Sequence, residues 1–120
     1  YVGDREQFGN KLQDFQSIQF KLADMATELE ASRLMLRSAA VKVDENTPDK
    51  TKSAAMAKRF VTDLGFKIVN EALQIHGGYG YLKDYPLERN LRDVRVHQIL
   101  EGTNEIIRFG LSEMKTSLFN

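Results

Sequence analysis

The chain has no cysteine, which excludes disulfide scaffolds, thiolate metal sites and a cysteine nucleophile. Its two histidines, His76 and His97, lack cysteine partners, so no zinc site is expected and no metal is assigned. It has no net charge: 17 Lys and Arg balance 17 Asp and Glu, which argues against nucleic acid or an anionic membrane surface as the main partner. No apolar run approaches the roughly 18 residues that a membrane span needs. No basic-then-apolar leader opens the chain. Proline is scarce, and both copies, Pro48 and Pro86, stand where a helix would end or begin. Alternating strand patterns of useful length, internal repeats and low-complexity tracts are all missing.

What is present is 120 residues, 42% hydrophobic, one domain's worth with a modest core. The chain opens on Tyr1-Val2-Gly3-Asp4-Arg5 rather than Met, so a domain cut from a longer protein is expected. Tyr1 to Lys11, polar with Gly3 and Gly9, reads as a lead-in loop. Phe15, Ile18, Leu22, Met25, Leu29, Leu36 and Val43 then step by three and four, with Ser32 and Ala39 filling the gaps. That spacing predicts a long helix with one core-facing stripe, ending near Asp44–Pro48. A second helix is expected from about Asp49 to Ile75, its stripe formed by Ala57, Phe60, Val61, Leu64, Ile68, Ala72 and Ile75. Gly65 inside it costs about 1 kcal/mol relative to Ala, which predicts close packing there. A third helix opens at Asp84-Tyr85-Pro86, with Leu87, Leu91, Val94 and Gln98 on its inner face. Thr103 caps a fourth, carried by Ile106, Ile107, Leu111, Met114 and Leu118. The expected fold is all-α, an antiparallel four-helix bundle.

Two helix breaks hold the unusual text. In Gln74-Ile75-His76-Gly77-Gly78-Tyr79-Gly80-Tyr81, three glycines in four residues exceed what a helix end needs. They suit either a tight turn between helices or the close approach of another backbone or a ligand. The lysine and hydroxyl of a phosphate loop are missing. In Leu100-Glu101-Gly102-Thr103-Asn104-Glu105, Glu101 follows the apolar pair Ile99-Leu100. It is either a solvated loop carboxylate or one partly desolvated, suited to act as a general base. Both histidines read as hydrogen-bonded packing residues. Glu88, Arg89, Arg92, Asp93 and Arg95 read as a solvated helix face with local ion pairs.

Together these stretches resemble the C-terminal helical domain of the acyl-CoA dehydrogenases over essentially all of residues 1–120. Arg5-Glu6-Gln7-Phe8-Gly9 is similar to that family's Arg-x-x-Phe-Gly lead-in. Gln74, Gly77, Gly78, Gly80, Tyr81, Asp84, Arg89 and Asp93 fall at the spacing of its C-terminal signature, and Glu101–Glu105 resembles its catalytic loop. The resemblance implies an FAD flavoenzyme that turns an acyl-CoA thioester into its 2,3-enoyl form. Glu101 would be the base that takes the α proton, with the β hydrogen passing to the flavin as hydride. Gly102 would contact substrate. Arg5, Gln16, Gln74, Ile75, His76, Gly77, Gly78, Thr103, Asn104 and Glu105 would contact FAD. The resemblance further implies a homodimer or homotetramer in which Arg5 and the Gln74–Gly78 turn serve a partner's flavin. Electron-transfer flavoprotein is the expected acceptor. The expected compartment is the mitochondrial matrix, or the cytoplasm in a bacterium. The wording of both motifs resembles short-chain or short branched-chain enzymes such as the isobutyryl-CoA dehydrogenases, acting in fatty acid or branched-chain amino acid catabolism. The family's N-terminal helical and middle β domains have no counterpart in these residues, so the isolated chain is expected to be inactive. An acyl-CoA oxidase and a non-catalytic oligomerisation or binding module are the alternatives.

Overall fold

The computed structural model describes residues 1–114. Four helices account for most of them: α1 (Gln16–Asp44), α2 (Lys50–His76), α3 (Leu87–His97) and α4 (Asn104–Glu113). Helix α1 contains neither glycine nor proline over its 29 residues, so nothing interrupts its hydrogen-bond ladder. It ends where Asn46 takes a positive φ of 54°, a conformation asparagine tolerates better than most residues. Lys42 clamps the turn, donating to Asp49 Oδ2 at 2.6 Å and to Ser53 Oγ at 3.0 Å, while the Thr47 hydroxyl donates to Asp49 Oδ1 at 2.8 Å. Cross-helix pairs Lys21–Glu71 (2.5 Å) and Glu28–Lys67 join the half of the hairpin away from that turn, and their order shows that α1 and α2 are antiparallel. Helix α3 begins just after Pro86, and α4 is capped by Thr103, whose hydroxyl accepts from the Ile106 amide at 3.3 Å. All of these boundaries agree with the sequence expectation within a residue or two. Leu118, the last of the expected α4 row, lies outside the described residues.

Helix α2 is the hub. Helices α1, α3 and α4 each pack on it. The result is long, 56 × 25 × 24 Å. Its radius of gyration is 17.7 Å, against about 13.6 Å for a compact chain of this length. Enclosure is correspondingly slight. Among the described residues the buried apolar side chains are Ala39, Ala57 and Leu111, and none of the large ones is fully enclosed.

That corrects the expected core. The face of α1 turned to α2 carries Lys21, Met25, Glu28, Ser32, Met35, Ala39 and Lys42, a seven-residue repeat of three- and four-residue steps. Met25, Ser32 and Ala39 from the predicted stripe belong to it. Leu22, Leu29, Leu36 and Val43 do not: each lies one position beyond a seam residue, about 100° round the helix, and they remain 37–53% exposed. Periodicity identified a stripe, but the stripe is wider than the contact this chain supplies. Gly65 likewise packs against nothing, since an added Cβ would meet no atom within 4 Å.

A second correction concerns the lead-in. It contains a minimal antiparallel hairpin, β1 (Glu6–Gln7) paired with β2 (Asn10–Lys11), too short to show alternation. Phe8 and Gly9 form its turn with φ of 53° and 78°, the two positive values a type I′ turn demands. A 3₁₀ turn at Leu12–Asp14 leads into α1.

Candidate active site

The first cluster is the loop between α3 and α4. Glu101 has φ 57° and Gly102 φ 86°, two consecutive left-handed residues. For glutamate that conformation is uncommon and costs on the order of 1–3 kcal/mol unless the surroundings impose it. Here they do. Asn104, 3% exposed, is the anchor. Its side-chain amide donates to Thr62 Oγ1 at 2.9 Å and to Asp63 Oδ1 at 2.7 Å, and its Oδ1 accepts from Lys58 Nζ at 2.6 Å. Its backbone amide donates to the Gln98 carbonyl at 3.0 Å, closing the loop. Lys58 also donates to the Gly102 carbonyl at 2.8 Å. Gln98 and Arg108 donate to Asp63 at 2.8 and 3.0 Å. Burial pushes the Asp63 carboxyl up, but the hydrogen bonds from Gln98 and Asn104 and the charges of Arg108 and Arg59 outweigh it. Asp63 is therefore held below the ordinary carboxylate value, as a fixed anion beneath the loop.

The Glu101 side chain, by contrast, is exposed, as are Ile99 and Leu100 beside it. The partial desolvation expected of this carboxylate is not supplied within the chain; the apolar neighbours flank it without covering it. Gly102 is exposed beside it, Thr103 half-buried as the helix cap, and Glu105 exposed with its carboxylate 3.4 Å from Arg108.

The second cluster lies at the far end of α2. Gly77 ends the helix with φ 58° and ψ −137°, a backbone that side chains oppose. Gly80 then returns so close that an added Cβ would lie 2.6 Å from the Leu73 carbonyl oxygen. His76 donates from Nδ1 to the Ala72 carbonyl at 2.8 Å, which fixes the orientation of the ring. Its ring stacks on Tyr1 with centroids 4.1 Å apart, and Tyr79 and Tyr85 close the group edge-on. The Arg5 guanidinium sits 5.3 Å from the Tyr79 ring centre. Arg5, Ile75, His76, Gly77, Gly78 and Tyr79 line part of one cavity of about 370 Å³. Gln16 and Gln74 are exposed at this same end, since the start of α1 runs beside the end of α2.

The ten expected flavin contacts thus divide into two sets. Arg5, Gln16 and Gln74–Gly78 gather at the end of α2, whereas Thr103, Asn104 and Glu105 gather beside Thr62. Fourteen residues of helix separate Thr62 from His76, about 21 Å at 1.5 Å per residue. Of these contacts, Asn104 has its side-chain amide fully occupied by the protein itself. Sequence reading missed Lys58, Thr62 and Asp63, which hold the loop, although polar side chains among Ala57, Phe60, Val61 and Leu64 were a visible irregularity. It also used Phe8 only as part of a motif, where the hairpin presents it 93% exposed.

A family model for the acyl-CoA dehydrogenase C-terminal domain matches residues 1–113. Mitochondrial isobutyryl-CoA dehydrogenase of Dictyostelium discoideum is 53% identical over 112 residues, covering 93% of this chain and 27% of that protein. The structure of butyryl-CoA dehydrogenase from Megasphaera elsdenii superposes with a TM-score of 0.90 at 45% identity, covering 95% of this chain and 30% of that one. A chain from a structural study of the electron transferring flavoprotein of Acidaminococcus fermentans and flavin-based electron bifurcation superposes with the same TM-score at 44% identity, covering 97% of this chain and 30% of that one. This chain therefore spans less than a third of the relatives it matches. With a family match over nearly its whole length, the chain belongs to the acyl-CoA dehydrogenase C-terminal domain family.

Proposed function

We propose that this chain is the C-terminal helical domain of an FAD-dependent acyl-CoA dehydrogenase, in which Glu101 is the base that removes the α proton. The observation that carries this reading is the Glu101–Gly102 loop. A glutamate is held in a costly left-handed conformation by hydrogen bonds on the α2 side and presents its carboxylate outward. Strain maintained at an exposed acid by hydrogen bonds from a distant helix supports a site at this loop.

The residues at the α2 end fit a flavin dinucleotide. Arg5 offers a planar fork of donors suited to a pyrophosphate. Gly77 and Gly78 leave bare backbone at the cavity, and the space beside Gly78 is open. FAD, when bound, supplies the acceptor for the β hydrogen. The chain's own contribution to the chemistry is proton removal. A thioester α proton is weakly acidic, so the carboxylate must sit against the α carbon with water excluded. Glu101 accepts that proton at a carboxylate oxygen. The water-excluding cover comes from outside this chain, consistent with the exposure of Ile99 and Leu100.

The separation of about 21 Å between the two flavin-directed sets supports a homodimer or homotetramer in which each chain serves two flavins, one through Arg5 and Gln74–Gly78 and one through the loop. The likeness to short-chain and isobutyryl-CoA enzymes supports a short or short branched acyl-CoA as substrate. The likeness to the Acidaminococcus chain supports electron-transfer flavoprotein as acceptor. Mitochondrial and bacterial relatives support the mitochondrial matrix, or the cytoplasm of a bacterium, as the compartment. No helix among the described residues is long and apolar enough to cross a membrane.

Glu101→Gln in the full-length enzyme tests the assignment. Gln keeps the shape but cannot take the proton. Flavin bleaching by a short acyl-CoA, followed anaerobically by stopped flow, should slow by about 10²–10⁴-fold, with acyl-CoA binding largely retained. A variant that bleaches at nearly the parent rate removes Glu101 from the role.

A further inference from the structure

We propose that Lys58 is a positioning residue for the reaction, its ammonium holding the Gly102 carbonyl and the Asn104 amide so that Glu101 keeps its left-handed backbone and its outward carboxylate. The inference rests on Glu101 being the base and extends that reading to a residue on a different helix.

The argument begins with what the loop would do unaided. Two consecutive left-handed residues, one of them glutamate, relax unless their carbonyls are held. Among the described residues, two groups of contacts oppose relaxation. One fixes the start of α4: Asn104 to Thr62, Asp63 and Gln98. The other is Lys58, which reaches 44 residues along the chain to the Gly102 carbonyl at 2.8 Å and also takes Asn104 Oδ1 at 2.6 Å. Lys58 alone of these side chains touches both the strained peptide and its anchor. Both partners are neutral oxygens, a carbonyl and an amide, rather than a carboxylate. The lysine thus acts as a strap between α2 and the loop, and Asp63 beneath it orients Asn104 from the other side.

Lys58 contacts no reacting atom in this scheme, so its removal should loosen the aim of Glu101 without removing the base. A misplacement of about 1 Å costs on the order of 10²-fold in rate. In the FAD-loaded full-length enzyme, Lys58→Met should slow flavin reduction at saturating short acyl-CoA by roughly tenfold to a hundredfold. KM should stay within about threefold of the parent, as expected when transition-state positioning rather than ground-state binding is lost. Flavin content and the thermal midpoint should stay close to the parent. Lys58→Arg, which keeps a cationic donor, should recover most of the rate. Hydrogen exchange across the peptide containing Asn104, whose amide is bonded to the Gln98 carbonyl, should speed up in Lys58→Met and not in Lys58→Arg. If Lys58→Met does not accumulate, Lys58→Gln carries the same comparison, its uncharged side chain ending one bond short of the position of the ammonium.

A parental rate in Lys58→Met with unchanged exchange overturns the inference. So does a rate loss that tracks loss of flavin and of thermal midpoint and that Lys58→Arg fails to restore, because that pattern marks a merely structural lysine. If the parent enzyme shows no flavin reduction with any acyl-CoA, the functional reading fails, and the strap stands or falls on the exchange at Asn104 alone.

Discussion

Gly77, Gly78 and Gly80 look interchangeable in sequence, yet the structure gives each a different reason to be glycine, and alanine substitution should separate them. Gly77 needs its backbone freedom: φ 58° with ψ −137° lies outside even the left-handed helical region, and an alanine there costs about 1–3 kcal/mol in strain. Gly80 needs its missing Cβ. An added carbon would sit 2.6 Å from the Leu73 carbonyl oxygen and 3.0 Å from the His76 Cβ. The first of these is backbone and cannot swing aside, so Gly80→Ala should cost about 1–3 kcal/mol, the usual penalty for overpacking. Gly78 has neither constraint, since its φ is not left-handed and its Cβ would meet nothing within 4 Å. Taken alone, Gly78→Ala should be neutral or stabilise by about 0.4–1 kcal/mol through the unfolded chain. If flavin lies against that backbone, the same methyl should cost roughly fivefold to a hundredfold in FAD affinity, the equivalent of about 1–3 kcal/mol of overpacking. The assay is thermal unfolding of flavin-free full-length protein beside a titration with FAD. Gly80→Ala should lower the flavin-free midpoint, whereas Gly78→Ala should leave it unchanged and weaken retention. A Gly78→Ala protein destabilised without flavin as much as Gly80→Ala would refute the reasoning, because it would mean that this chain's own fold fills the space.

Two further outcomes follow from the same geometry. Arg5→Ala should weaken flavin retention by about ten- to hundredfold, the value of a charge-assisted hydrogen bond of about 1.5–3 kcal/mol, with a much smaller change in the rate of the loaded enzyme; intact FAD affinity with a collapsed rate would contradict the assignment. The hydrogen bond from Lys42, helped by that from Thr47, lowers Asp49 from the ordinary 3.8 to about 2. A folded value below the unfolded one stabilises the α1–α2 turn fully above pH 3.8 and loses that effect as pH falls through about 2. The gap in thermal midpoint between the parent and Asp49→Asn should therefore close on acidification across that window, and a gap that persists at the acid end would show that Lys42 does not hold the carboxylate.

Much of this protein was decided locally, and what is local is legible in sequence. An uninterrupted run without glycine or proline makes α1, Pro86 and Thr103 set where α3 and α4 begin, and Gly77 ends α2. The residue types of the glutamate loop and of the Arg5 hairpin are likewise fixed by their own few positions, and they carry the family resemblance. Contacts between distant residues were not legible, because a helical period gives a direction around an axis and says nothing about what stands in that direction. Leu29 and Leu36 share a stripe with Met25 and Ala39, but they stay 39% and 53% exposed while Ala39 is buried against α2. Asn104 is legible as part of a motif, but its partners Lys58, Thr62 and Asp63, all more than 40 positions away, are brought onto its side-chain amide only by the fold. The helices and the acid are local properties of the chain; that α2 reaches across to hold the acid's backbone in a left-handed conformation is a property of the packed fold, because the hydrogen bonds that oppose the strain close between segments that local propensity never compares.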